Sequence, residues 1–225
     1  MTFILGLDLG QSQDYTAIAI IEKLDRDKVY RVRRLERARG TPYPEVVSRV
    51  KTILQKLPGA ALVVDATGVG APVVDMFDQA RLKPVGIYIH GGDKASHDSR
   101  GWKVPKRDLV GCLQVLLQNQ RLKIAPGPLS DILASEMLNF KVKIDPTTAH
   151  DSYSAWREAD HDDLVLAVAL ACWYGENVQK PMQPVAFYGG SSSGPSQRSD
   201  PRTSDPYSSA YSLTRTPRPN FGSSN

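Results

Sequence analysis

Hydrophobic residues in the first part of the chain follow strand-like and helix-like patterns in turn. Three continuous apolar runs predict buried strands, at residues 3–7, 61–64 and 85–89. Two further strands, the second more solvated, are predicted at residues 15–21 and 29–35. Apolar residues at helical spacing predict four helices, over about residues 46–57, 71–80, 105–117 and 129–139.

A fifth predicted helix, over residues 161–173, differs from the others because it is apolar almost all the way round. Such a helix is buried within a larger fold. It nevertheless begins with two adjacent carboxylates, Asp162 and Asp163, which are costly to bury without partners. Clustered negative charge at the start of a buried helix suggests a bound cation.

The order of the predicted elements favours one mixed α/β sheet flanked by helices. Three leading strands, followed by alternating helices and strands, argue against a purely parallel sheet. With the closing helix at its end, this order is the layout of ribonuclease H-like folds. Residues 90–105 are polar, Gly-rich and basic and predict a long loop or flap, whereas residues 140–144 predict a last edge strand.

Composition changes after about residue 180. Residues 181–225 are rich in Ser, Pro, Gly and Arg, and such a segment buries too little apolar surface to offset the entropy of ordering it. We therefore expect one ribonuclease H-like domain over residues 1–180 and a disordered tail over residues 181–225.

Charge and cysteine content narrow the functional class only slightly. A net charge of +4 is weakly suggestive of a polyanionic partner. No apolar run is long enough to cross a bilayer, and no secretion pattern opens the chain, so we expect a cytoplasmic protein without a membrane partner. Cys112 and Cys172 lie in apolar helical stretches, which favours reduced core thiols over a disulfide or a zinc site.

Aspartates end two of the predicted buried strands, at Asp8 and Asp65. If these strands are neighbours, the two side chains lie close together, and the closing helix could bring Asp162 and Asp163 to the same point. Clustered carboxylates repel one another, and a divalent cation removes that repulsion. Oxygen ligands favour Mg²⁺ or Mn²⁺, and two such ions about 3.5–4 Å apart form a clamp for phosphodiester displacement.

Each of these features also has an ordinary structural interpretation. A single aspartate at a strand end is commonly a turn residue, and acidic residues in a first helical turn complement the helix dipole. His161 is more often a hydrogen-bonding boundary residue than a general base or a metal ligand. The Gly-Val-Gly turn at residues 68–70 lacks the Gly-Lys-Ser/Thr of a Walker A motif. Only the joint occurrence of the aspartates on buried elements favours a metal site.

A second candidate site is a basic segment that surrounds one tryptophan. Basic residues interleaved with an aromatic side chain suit contacts with the nucleic-acid backbone, although a solvated loop is an equally good interpretation. The candidate DNA-binding residues are Lys94, Arg100, Trp102, Lys103, Lys106 and Arg107.

Three motifs, at residues 6–10, 63–70 and 161–167, together resemble the nuclease domain of viral large terminases, the DNA-packaging motors of tailed bacteriophages. The resemblance implies a ribonuclease H-like fold that cleaves double-stranded DNA with two metal ions. It also implies an acidic triad of Asp8, Asp65 and Asp162 with Asp163 as an auxiliary ligand, although which of the last two leads stays open.

The same resemblance implies further partners in the cytoplasm of the host cell, namely an ATPase motor, a small terminase subunit and a portal. No Walker motif occurs in the sequence, so we expect the motor to lie outside this chain. Translocation is therefore not assigned to this polypeptide.

Three alternatives remain at this point. A Holliday-junction resolvase shares the fold and the metal chemistry but acts on branched DNA. Actin-like sugar kinases and chaperone ATPases have a similar first strand, yet they need a much longer chain. A non-catalytic packaging or assembly module would have no need of the four aspartates.

Overall fold

One mixed β-sheet carries the described part of the chain, which in the computed structural model comprises residues 1–10, 14–67, 70–139 and 162–178. The strands are β1 (Thr2–Asp8), β2 (Tyr15–Leu24), β3 (Val29–Arg39), β4 (Ala61–Asp65), β5 (Val85–His90), β6 (Ser96–Asp98), β7 (Gly101–Pro105) and β8 (Leu122–Ile124). The helices are α1 (Tyr43–Lys56), α2 (Gly70–Gln79), α3 (Lys106–Gln118), α4 (Ser130–Asn139) and α5 (Asp163–Asn177).

The strand order across the sheet is β6-β7-β5-β4-β1-β2-β3-β8. The first three strands pair antiparallel, whereas β4 and β5 add parallel strands beside β1. The mixed sheet predicted from the order of the elements is therefore confirmed. The first and fourth strands are neighbours, which was the condition for bringing Asp8 and Asp65 together.

The expectation of a long loop or flap over residues 90–105 is wrong in part. That segment contains β6 and β7, and β7 pairs parallel with β5. Strand β8 was not predicted either. Both β6 and β8 have only three residues, too few to show a period-two pattern. Residues 140–144 and 181–225 lie outside the described residues, so the edge strand and the disordered tail stay predictions.

Helices cover both faces of the sheet and enclose two hydrophobic cores. On one face, Leu5, Leu62 and Val64 pack with α1 and α2. On the other face, Ile4 and Val63 pack with α3, α4 and α5. All residues from 163 to 173 of α5 are buried because the sheet, α3 and α4 surround the helix, which confirms the predicted buried helix.

Other expectations concern cysteines and membranes. Cys112 and Cys172 are both free thiols, as predicted, and Cys172 is fully buried in α5. No helix in the described part of the chain is long and apolar enough to span a membrane.

The backbone of helix α5 lies directly against Gly6 of β1. A Cβ atom on Gly6 would lie 1.8 Å from the carbonyl oxygen of Ala167 and 3.1 Å from the Cβ of Ala171. Farther along the helix, a Cβ on Gly175 would lie 3.1 Å from Ile4. Helix α5 therefore runs antiparallel to β1, and its N-terminus points to the carboxyl end of that strand.

Polar contacts hold the other end of α5. Tyr30 Oη and Arg121 Nη2 donate to Glu176 Oε1 at 2.7 and 2.6 Å, and Lys23 Nζ donates to the Gly175 carbonyl oxygen at 2.5 Å. Burial alone would raise the pKa of Glu176, but the hydrogen bonds from Arg121 and Tyr30 outweigh it and lower that pKa below its usual value of 4.5. The C-terminal end of α5 is thus tied to β2, β3 and the start of β8.

We expect Gly6→Ala to lower the free energy of unfolding by about 1–3 kcal/mol or more, because its methyl group would meet a backbone carbonyl that cannot rotate away. Thermal and urea unfolding of the purified protein measure this change. Gly111→Ala in α3 is the matched control, since a Cβ there meets nothing within 4 Å. Alanine should stabilise that helix slightly. Equal stability of the Gly6→Ala variant and the wild type would contradict the close helix–sheet contact.

We expect Glu176→Gln to lower the free energy of unfolding by about 1 kcal/mol at pH 7, because it removes a charge-assisted acceptor. The lowered pKa of Glu176 means that this stabilisation is present above pH 4.5 and is lost as pH falls through the folded-state pKa. Urea unfolding at pH 7, 5 and 3 should therefore show the difference from wild type shrinking with acidity. Asp27→Asn, in the exposed turn after β2, is the control, and a pH-independent difference for Glu176→Gln would refute the charged anchor.

Candidate metal centre

Two aspartates lie side by side where adjacent parallel strands end. Leu7 of β1 pairs with Val64 of β4, and Asp8 and Asp65 each follow by one residue. Alternation along the strands places both aspartates on the sheet face that α5 covers, the face of Gly6 and Val63. The structure thus brings together the first two predicted site residues.

The Asp65 carboxylate is fixed by the turn that follows its strand. Asp65 is 5% exposed, and its Oδ1 accepts a hydrogen bond from the Thr67 N–H at 2.8 Å. The Ile89 N–H donates to Thr67 Oγ1 at 2.7 Å, so the turn is itself held to β5. Asp65 is therefore a turn residue, as its ordinary structural interpretation predicts. A buried carboxylate with one fixed oxygen is also suited to ligand binding.

The start of α5 lies at the same edge of the sheet. Asp162 is the N-cap residue, and its carbonyl oxygen accepts the Leu166 N–H at 2.9 Å. Asp163 is the first helical residue. Because α5 runs antiparallel to β1, both aspartates lie toward the carboxyl ends of β1 and β4. His161, Gly68 and Val69 fall outside the described residues.

Each aspartate of the pair is matched with its own cation. Lys106 Nζ, at the start of α3, lies 3.7 Å from Asp162 Oδ2. Arg37 Nη2, on β3, donates to Asp163 Oδ2 at 2.6 Å. Burial raises the pKa of Asp162 to about 6, the Lys106 charge opposes this rise, and the Asp163 charge adds to it. Lys106 follows β7 and Arg37 lies on β3, and these strands flank β4 and β1 on opposite sides in the sheet. The two cations offset the buried negative charge.

The residues present fit a hard divalent cation by their chemistry. The candidate ligands are all carboxylates, which suits Mg²⁺ or Mn²⁺. Among the described residues, however, no group of three or more His, Cys, Asp or Glu side chains lies close enough to hold a metal ion. Asp162 is instead paired with Lys106, and Asp163 with Arg37. The metal ligand set of Asp8, Asp65, Asp162 and Asp163 therefore stays a prediction.

Sequence reasoning missed a buried glutamate beside this site. Glu136 of α4 accepts the Val165 N–H on its Oε2 at 2.9 Å, and its Oε1 lies 3.5 Å from Arg37 Nη2. Burial raises the pKa of Glu136 to about 7, against the opposing effects of the Val165 hydrogen bond and the Arg37 charge. No local pattern distinguishes this glutamate from the other polar residues of α4.

The predicted DNA-binding residues separate into outward and inward groups. Lys94 and Arg100 are exposed. Lys103 pairs with Asp98 at 3.0 Å and Arg107 with Asp93 at 2.8 Å, both at the surface.

Trp102 and Lys106 face the interior instead. The Trp102 ring packs edge-on against Trp173 of α5, with 5.6 Å between the ring centroids. Lys106 is 5% exposed and faces Asp162, so the expectation of an external phosphate contact at Lys106 does not match its position. The physical reason is the strand β7, which ends at Pro105 and turns this side chain toward the carboxylates as α3 begins.

Known proteins of similar sequence are viral. The family model described as Terminase RNaseH-like domain matches residues 5–173. The large terminase subunits of Thermus virus P23-45 and Thermus phage G20c are each 22% identical over 169 residues, which cover 75% of this chain and 31% of each relative. The chain thus matches about a third of the length of these curated relatives.

Solved structures of similar fold include two terminase nucleases. The large terminase nuclease of phage G20c with bound magnesium aligns with a TM-score of 0.56 and 22% identity, over 76% of this chain and 80% of that one. The large terminase nuclease domain of Thermus phage P74-26 aligns with a TM-score of 0.56 and 18% identity, over 81% and 84%. These likenesses confirm the predicted ribonuclease H-like fold. Because the family model spans both strand-end aspartates and the start of α5, the chain belongs to the Terminase RNaseH-like domain family.

Proposed function

We propose that this chain is a metal-dependent endonuclease that cleaves double-stranded DNA during the packaging of a phage genome. The observation that carries the proposal is the parallel pairing of β1 with β4, which puts Asp8 and Asp65 side by side at one edge of the sheet. The N-terminus of α5, where Asp162 and Asp163 lie, points to the same edge, and we propose that these two carboxylates complete the site. Carboxylates gathered in this way are typical of a phosphodiester-cleaving metal site.

The similar proteins support both the nuclease activity and the metal dependence in this proposal. The curated proteins of similar sequence are large terminase subunits, and solved structures of one terminase nuclease contain magnesium, zinc or cobalt. Membership of the same family makes a divalent metal the natural occupant of the carboxylate edge. We propose Mg²⁺ or Mn²⁺, with two ions held by Asp8, Asp65 and Asp162 and with Asp163 as an auxiliary ligand.

Metal ions held by these carboxylates would supply an activated water and would neutralise the negative charge that develops on the leaving 3′-oxygen. The protein supplies the positioning. Asp65 is held by the Thr67 N–H, so one of its oxygens has a fixed direction. Lys106 places a positive charge 3.7 Å from Asp162 and so offsets the negative charge of that carboxylate. No protein nucleophile is needed.

DNA would approach along the surface beside this edge. Lys94, Arg100, Lys103 and Arg107 lie at the surface on or next to β6 and β7, where they could contact phosphates without reading sequence. The ATPase motor, the small terminase subunit and the portal are the further partners that we propose, in the cytoplasm of the host cell.

We expect Asp65→Asn to reduce metal-dependent nicking of supercoiled plasmid by more than about 100-fold. Mutation of a residue that only orients a metal ligand lowers metal affinity or activity by about 10–100-fold, and Asp65 would be a ligand itself. The assay compares Mn²⁺, Mg²⁺ and a chelator. Asp75→Asn, which changes an exposed aspartate of α2, is the matched control and should cut like the wild type.

The same assay separates the alternatives. If Asp65→Asn cuts like the wild type, the catalytic hypothesis is wrong. A folded wild-type protein that cuts no DNA would instead indicate a non-catalytic packaging module. Strong preference for a four-way junction over linear duplex of equal length would indicate a resolvase.

A further inference from the structure

Arg37 lies in one row of side chains with the strand-end aspartates. Ala17 of β2 pairs with Asp8 on one side and with Arg37 on the other, so these three residues are in register across three strands. All three lie on the face that α5 covers, since Ala17 belongs to the core around that helix. Ala17 contributes only a methyl group, which leaves room for the guanidinium to reach the first turn of α5.

An aromatic ring lies against this guanidinium. The Cζ of Arg37 lies 3.9 Å from the centroid of the Tyr15 ring, within the range of a cation–π contact. Tyr15 is two residues before Ala17 on β2 and therefore lies on the same face. This contact helps to hold the guanidinium beside the first turn of α5.

Two carboxylates from different helices lie next to the Nη2 atom of Arg37. Arg37 Nη2 donates to Asp163 Oδ2 at 2.6 Å and lies 3.5 Å from Glu136 Oε1. Glu136 is also buried, and its other oxygen accepts the Val165 N–H at 2.9 Å. Arg37 thus joins β3 to the beginning of α5 directly through Asp163 and indirectly through α4.

The Glu136 carboxylate does the work of a helix cap. The first N–H groups of a helix have no partner inside it and are commonly bonded by the side chain of the N-cap residue. Asp162 is the N-cap here, yet its side chain makes no capping hydrogen bond within the described residues. Glu136 bonds the Val165 N–H in its place, so capping does not occupy the Asp162 carboxylate.

We propose that Arg37 and Glu136 are positioning residues that fix the first turn of α5 and thereby set Asp162 against Asp8 and Asp65 for metal binding. This inference rests on the proposed function. Neutralising Arg37 would leave Asp163 and Glu136 as two buried carboxylates without their shared cation, and the first turn of α5 would shift to separate them. A displacement of about 1 Å is enough to impair a catalytic site.

The test measures Mn²⁺ affinity by isothermal titration calorimetry, together with plasmid nicking over a range of Mn²⁺ concentrations. We expect Arg37→Gln to weaken Mn²⁺ binding by about 10–100-fold, with nicking partly restored at high Mn²⁺. Arg37→Lys should be intermediate, because lysine keeps the charge but lacks the planar fork. Arg49→Gln is the matched control, since Arg49 pairs with Glu36 in an exposed ion pair at 2.6 Å.

A second variant keeps the test decisive if Arg37→Gln does not fold, as judged by circular dichroism. Glu136→Gln can still accept the Val165 N–H but no longer balances the Arg37 charge, so it should fold and show an intermediate loss of Mn²⁺ affinity. A role confined to stability would lower the melting temperature and leave Mn²⁺ affinity unchanged. Wild-type affinity in the folded variants would therefore overturn the proposal.

The two proposals fail in different ways. If the wild type binds Mn²⁺ and the variants bind it weakly, but none cuts DNA, the positioning role holds and the nuclease function is wrong. If the wild type cuts DNA and folded Arg37→Gln and Glu136→Gln cut it equally well at every Mn²⁺ concentration, the nuclease function holds and the positioning role is wrong. A wild-type protein that binds no Mn²⁺ would overturn the positioning role.

Discussion

The burial of negative charge at the start of α5 is the constraint on which the rest of the described structure depends. An apolar helix beneath α3 and α4 is a poor environment for carboxylates, because ionised groups lose their hydration there. The fold answers with Lys106 on one side and Arg37 on the other, each within 4.0 Å of an aspartate oxygen. The acidic edge is therefore balanced by the protein's own cations, and a divalent metal would enter a site that is already partly neutralised.

Different forces set the depth of α5 and its position along the sheet. Burial of its apolar side chains is non-directional and holds the helix against the sheet without choosing a register. The register comes from polar contacts at both ends. Arg37 and Glu136 hold the first turn, and Glu176 holds the last through Tyr30 and Arg121. The apolar middle of α5 stabilises its packing on the sheet, and the polar contacts at its two ends determine its position along the sheet.

Sequence patterns could predict the parts of the site that depend on local order. Asp8 and Asp65 were visible because continuous apolar runs mark buried strands, and a parallel pair brings their ends together. Arg37 and Glu136 were not visible. Arg37 meets a residue 126 positions away, and Glu136 meets one 29 positions away, so no local periodicity encodes either contact. Arg37 also lies in a strand that looks solvated, because arginine and glutamate residues recur along it.

The close contact at Gly6 is a point about which helix α5 could rotate. Main-chain atoms meet there, so the helix cannot move closer to the sheet at this point. Asp162 lies about 7.5 Å along the helix from Ala167, at a rise of about 1.5 Å per residue. A tilt of about 10° would therefore move its carboxylate by about 1.3 Å, which is already enough to spoil a catalytic geometry. A small rotation of α5 would thus be sufficient to move Asp162 out of position relative to Asp8 and Asp65.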